Sequence, residues 1–244
     1  MFATNKKFNG NTLKLAAIIA MTIDHAAWLI LPRETIAAFI CHIIGRLTFP
    51  VMAFMIVEGY HHTRDVRKYL FRLAISALIA HFAYAFCFNH PLLFDLRNGL
   101  IDSTSVLWGF TFGLSSLIVY HHEQMKKWLK VVLIILCIIL AIPSDWSWVC
   151  VVFLLVLDLN YGNMKRQFIG MTVFGFSYAL VYCLVSSWWS SFQFAVILAF
   201  PLLFLYNGER GRWRGMKWLF YIYYPLHLIL LGVIRVAFHI IYPR

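Results

Sequence analysis

The run TLKLAAIIAMTIDHAAWLIL, Thr12–Leu31, decides the class of fold. It matches the about 20 apolar residues that carry an α-helix across a bilayer, yet Asp24 and His25 interrupt it. Ionisable residues at such depth are costly in lipid, and they are kept where they face a bundle interior, a partner or a wet cavity. The stretch begins after Lys6 and Lys7 and carries Lys14, so it resembles a secretory signal, but no small-residue cleavage site follows. It is expected to remain as a membrane helix.

The rest of the 244-residue chain has the same character, with 62% hydrophobic residues, 13% charged residues and a mean hydropathy of +0.76. A soluble domain would carry about 45–50% apolar and about 25% charged residues. That comparison excludes disordered, collagen-like and disulfide-scaffold classes and points to an integral membrane protein. A net charge of +11 would suggest nucleic acid in a soluble chain, but basic residues gather in the cytoplasmic loops of membrane proteins. Cys41, Cys87, Cys137, Cys150 and Cys183 all lie in apolar runs without a CxxC pair, so neither a metal site nor a disulfide framework is expected.

Further apolar runs cover Ile36–Val57, Tyr69–Phe88, Thr104–Tyr120, Leu129–Ile142, Trp146–Leu159, Phe168–Val185, Trp188–Tyr206 and Met216–Phe238. The expected fold is all-α, a polytopic transmembrane bundle of about nine spanning helices in one domain over residues 1–244. With a cytoplasmic amino terminus, the inner loops hold Arg64, Arg67, Lys68, Arg72, Lys126, Lys127, Lys130, Lys165, Arg166, Arg210, Arg212, Arg214 and Lys217. Of all 21 Lys and Arg, only Arg33, Arg97 and Arg244 fall outside, while Arg46 and Arg235 fall within spans. This bias predicts that orientation. The outer connection Asn89–Ser103 mixes charged and apolar residues and reads as an interfacial or re-entrant loop.

Within the spans stand Asp24, His25, His42, Arg46, His81, His227 and Arg235. At about 1.5 Å per residue, His25 and His81 lie roughly 18 Å from the inner edge, His227 roughly 16 Å, and Arg46 roughly 15 Å from the outer edge. All four approach the middle of a core about 30 Å thick. Asp24 is expected to accept from Arg46 or another donor, with His25 facing a cavity. His42, nearer its helix end, reads as structural, and His81 as a core histidine satisfied by a hydroxyl or carbonyl. Pro50 and Pro225 should kink their helices beside Arg46 and His227 by freeing the carbonyls of Arg46 and Tyr221. The pairs His61-His62 and His121-His122 read as solvated surface. No GxSxG, phosphate-binding glycine loop, HExxH or Cys/His metal spacing is present.

LKLAAIIAMTIDH at Leu13–His25, GRLTFPVMAFMIVEGYHHTR at Gly45–Arg64 and KWLFYIYYPLHLILLG at Lys217–Gly232, in that order, resemble the TraX family of bacterial membrane proteins, whose founding member is the F-pilin acetylase. The chain departs from the family pattern at STSVLWGFTFGL (103–114) and SDWSWV (144–149). The resemblance implies a transmembrane acyltransferase-like domain in the bacterial plasma (inner) membrane. It would transfer acetyl from cytosolic acetyl-CoA to a pilin or peptide amino terminus or a surface glycan. It also implies His25 as the essential histidine, with His227 as the second candidate. On that reading His25 acts as general base with Asp24 orienting the site and Arg46 or His227 stabilising the oxyanion. A covalent acetyl-histidine is the other route. The CoA phosphates would be held by Arg64, Lys68 and Arg72, or by Arg210, Arg212 and Arg214. The competing class is a proton-coupled secondary transporter that uses the same polar layer as a relay; a non-catalytic scaffold ranks behind both.

Overall fold

A computed structural model describes residues 7–90, 104–213 and 215–238. The regular secondary structure of the described residues is helical apart from two isolated bridges, Phe8 with Tyr206 and Thr104 with Ser144. The helices are α1 (Gly10–Ile30), α2 (Ile36–Gly45), α3 (Thr48–His62), α4 (Val66–Phe88), α5 (Val106–Tyr120), α6 (Lys127–Ala141), α7 (Val149–Leu159) and α8 (Met164–Val185). A 3-10 helix (Trp188–Leu198), α9 (Ala199–Phe204) and α10 (Met216–Ala237) follow. Every apolar run named from the sequence therefore carries a helix.

Length separates these helices. Among the described residues, five segments are long and apolar enough to cross a membrane: Gly10–Ile30, Ile36–His62, Val66–Phe88, Met164–Val185 and Trp218–Ala237. Helix α5 has 15 residues and α7 has 11. At 1.5 Å per residue they reach only about 22 and 16 Å, short of a hydrocarbon core of about 30 Å. The expectation of nine full spans is corrected accordingly. Apolar side chains such as Leu184 and Val185, 78% and 80% exposed, suit contact with lipid.

The chain forms two compact units. The first comprises Met1–Met55 and Gly162–Phe220. Here the Asn9 side chain caps α1 by accepting from the amides of Asn11 and Thr12. The amides of Gly10 and Asn11 donate to the carbonyls of Glu209 and Arg210 at 2.7 and 3.1 Å, so the segment after α9 clasps the start of α1. Gly211, at φ 93°, lies where any Cβ would strike Asn9 and Asn11; only glycine suits both constraints. Helix α1 packs on α2, and the 3-10 helix packs on α2 and α8.

The second unit comprises Ile56–Tyr161 and Tyr221–Arg244, with α5 packed against α4, α6 and α7. Gly109 and Gly113, four apart on one face, lie against Cys150 and Leu154 of α7, the close approach that small residues allow between membrane helices. His81 Nδ1 lies 2.8 Å from the Thr104 hydroxyl, in line with a satisfied core histidine. Arg235 donates to the Phe86 carbonyl at 3.1 Å. Asn89, in the left-handed conformation, caps α4; beyond His90 the connection expected to be interfacial or re-entrant lies outside the described residues.

The second apolar run is broken at Arg46–Leu47, between α2 and α3. Pro50 has no amide hydrogen to donate to Arg46 four residues back, so the expected kink takes the form of a break. On the α1 side of this break, a Cβ at Gly45 would overlap the Asp24 carboxyl group. Gly45→Ala is expected to cost about 1–3 kcal/mol through overpacking, read as a lowered midpoint of thermal unfolding in detergent; an unchanged midpoint would contradict this packing.

Candidate active site

The carboxylate of Asp24 is buried on α1, facing α2. His42 on α2 and Arg46, the residue that caps α2, are four residues apart and so share a face. The two Asp24 oxygens divide between them. Oδ1 lies 2.7 Å from His42 Nδ1, and Oδ2 accepts from Arg46 Nη2 at 3.0 Å. All three side chains are buried.

The 3-10 helix completes the shell. Its tight winding aligns residues three apart, so Trp189 and Phe192 both meet Phe39 of α2, at centroid distances of 6.0 and 6.2 Å. Arg46 Nη1 donates to Gln193 Oε1 at 3.2 Å, and the guanidinium lies 5.2 Å from the Phe192 ring centroid, a cation–π contact. The His42 ring packs against Trp28 at 4.3 Å and Phe192 at 5.1 Å. Imidazole and guanidinium are thus fixed by aromatic walls as well as by hydrogen bonds.

This geometry defines a proton inventory. An ionised carboxylate only accepts hydrogen bonds, so the hydrogen between Asp24 and His42 belongs to Nδ1. In the neutral imidazole the lone pair is then on Nε2, as in a carboxylate–histidine pair that orients a general base. Arg46 supplies a fixed positive charge on the other side of the same carboxylate.

The expected pairing of Asp24 with Arg46 is present, whereas His42, expected to be structural, is the histidine bound to Asp24. Its signal in the sequence was the four-residue spacing to Arg46. Gln193 carried none, standing alone in an apolar run. His25 is buried on α1, about 100° around the helix from Asp24. His227 belongs to the second unit, where its Nδ1 donates to the Tyr223 carbonyl at 3.0 Å and its ring stacks on Tyr223. Pro225 is accommodated within α10.

Among the cations expected to hold CoA, Arg64 and Lys68 are exposed in the second unit, and Lys68 pairs with Asp65 at 3.3 Å. Asp65 caps α4, and the Lys68 amide, then its ammonium, hold the carboxyl below its ordinary range. The cap is therefore present above the usual carboxylate range and is lost as pH falls through the lowered value. Arg72 is half-buried and hydrogen-bonds Tyr221. Arg210 and Arg212 are exposed in the first unit, on the segment that clasps α1. Arg214 lies outside the described residues.

The family model described as TraX protein matches residues 9–235, taking in α1, the Asp24 cluster and nearly all of α10. The chain belongs to the TraX family. A similar protein is a probable fimbrial assembly protein, FimC of serogroup H1, from Dichelobacter nodosus. It is 32% identical over 235 residues, covering 93% of this chain and 96% of the relative. No solved structure matches. The TraX segments Leu13–His25 and Gly45–Arg64 include Asp24, Gly45 and Arg46, whereas His42 lies just before the second.

Removing Asp24 would leave a buried guanidinium without its counter-ion, a loss of about 3–5 kcal/mol. Asp24→Leu should therefore lower stability by that order in denaturant unfolding, while Asp24→Leu combined with Arg46→Met should lose less than the sum of the single changes. Simple additivity would show that the pair is not coupled.

Proposed function

We propose that this TraX-family protein is a bacterial inner-membrane acetyltransferase with its amino terminus in the cytoplasm. It moves acetyl from cytosolic acetyl-CoA to an amine or hydroxyl, with a pilin or peptide amino terminus, or a surface glycan, as acceptor. Family membership and a relative named for fimbrial assembly support the setting. The observation that carries the chemistry is the buried Asp24 carboxylate held between His42 and Arg46.

Arg210 and Arg212 are the cations best suited to the CoA phosphates, because they are exposed on the segment that clasps the helix bearing Asp24. From Gly10 to Asp24 is about 21 Å along α1, the separation the pantetheine arm would bridge. Acetyl-CoA supplies a thioester carbonyl open to attack. His42 Nε2, oriented through Asp24, takes the proton as the acceptor oxygen or nitrogen bonds the acyl carbon. The same proton passes to the CoA sulfur as the C–S bond breaks. Arg46 contributes positive charge toward the carbonyl oxygen. His25, the base implied by the family resemblance, stands next along the same helix and is the alternative proton acceptor.

Purified protein given acetyl-CoA and pilin amino-terminal peptide, or a surface glycan extract, should release free CoA and yield acetylated acceptor. Loss of a general base is expected to lower turnover about 10²–10⁴-fold in His42→Ala with the fold retained, and the same loss confined to His25→Ala would move the role to His25. Absence of turnover with every acceptor, together with pH-gradient-driven solute uptake, would overturn the reading in favour of a transporter.

A further inference from the structure

The second unit holds another buried carboxylate, and its surroundings differ from those of Asp24. Asp158, near the end of α7, has a side chain with no exposed surface. His61, at the end of α3, and His121, which caps α5, reach it from two sides. His61 Nε2 lies 2.7 Å from Oδ1, and His121 Nε2 lies 2.7 Å from Oδ2. Among the described residues, no lysine or arginine forms an ion pair with Asp158. A buried carboxylate is costly without a compensating cation, and a metal ion held beside it by the two imidazoles would supply one.

We propose that His61, His121 and Asp158 bind a divalent transition-metal ion of the zinc type. Two imidazoles and one carboxylate are a common donor set for such an ion, and the three donor atoms lie within 4.8 Å of one another. Tetrahedral bonds of about 2.0–2.2 Å place donors roughly 3.3–3.6 Å apart, so a small opening of the 2.7 Å contacts admits the ion. The imidazoles are held in place. Tyr161 stacks on His61 with centroids 3.7 Å apart, and Tyr60 stacks on His121 at 5.4 Å. Both imidazoles retain some exposure, 23% and 40% of their side chains, which gives the ion a route of entry. Three protein ligands leave a fourth position for water, and the ion would tie together the ends of α3, α5 and α7. His62 is not one of the three donors: its Nε2 lies 3.4 Å from the Glu58 carboxylate and 3.4 Å from the Tyr161 hydroxyl.

The test uses full-length protein without a polyhistidine tag, stripped with chelator in detergent and titrated with Co²⁺ as a spectroscopic probe and Zn²⁺ as competitor. Wild type should bind one equivalent, with the absorption of a low-coordinate Co²⁺ centre that Zn²⁺ bleaches, and Zn²⁺ should raise its thermal midpoint. Asp158→Asn, which keeps the shape of the side chain, and His121→Ala should bind at least tenfold more weakly and lose both responses, while His62→Ala should retain them. If wild type shows no Co²⁺ absorption beyond that of His121→Ala, or if folded Asp158→Asn binds as wild type does, the metal site is overturned.

Discussion

Burial of the Asp24 carboxylate constrains the first unit more than any other single feature. An anion removed from water must recover its lost hydration from charge and hydrogen bonds. The recovery comes from one face of α2, where the spacing of His42 and Arg46 presents an imidazole and a guanidinium side by side. Close approach requires Gly45, since any Cβ there would occupy the space of the carboxyl group. The helix ends immediately afterwards, and the 3-10 segment supplies Gln193 and Phe192 to the outer side of Arg46. Spacing, glycine, helix break and tight winding all serve the same buried charge.

The two carboxylate clusters show what a counter-ion changes. Asp24 has the Arg46 guanidinium as a counter-ion beside its imidazole partner. Asp158 has two imidazoles and no guanidinium or ammonium among the described residues. The first arrangement suits acid–base chemistry, and the second suits a bound cation. Each belongs to its own compact unit; the first is built mainly on the consecutive helices α1 and α2, the second on helices farther apart in the sequence.

Much of the architecture was legible because burial in lipid demands long apolar runs, and every run identified in the sequence carries a helix. Hydropathy alone did not separate a spanning helix from a shorter one packed among neighbours, as α5 and α7 illustrate. The Asp24–Arg46 pair was readable from depth. The contact of His42 with Asp24 was not read, because its position near a helix end said less than its register with Arg46. Asp158 was passed over at the tail of VCVVFLLVLDL, and the His61-His62 and His121-His122 pairs read as surface. Nothing local links Asp158 to His61, 97 residues away, or to His121, 37 away; only the packing of α5 against α7 and the ending of α3 bring them together.

The proposed role of His42 depends on Asp24 holding its proton on Nδ1. Nitrogen-15 NMR of histidine-labelled protein in detergent measures this directly, because protonated and unprotonated ring nitrogens resonate far apart. The expected His42 signal, assigned by its loss in His42→Gln, shows hydrogen on Nδ1 and a bare Nε2. In Asp24→Asn that tautomer preference should be lost. A wild-type His42 protonated on Nε2 alone, or a spectrum unchanged by Asp24→Asn, would contradict it.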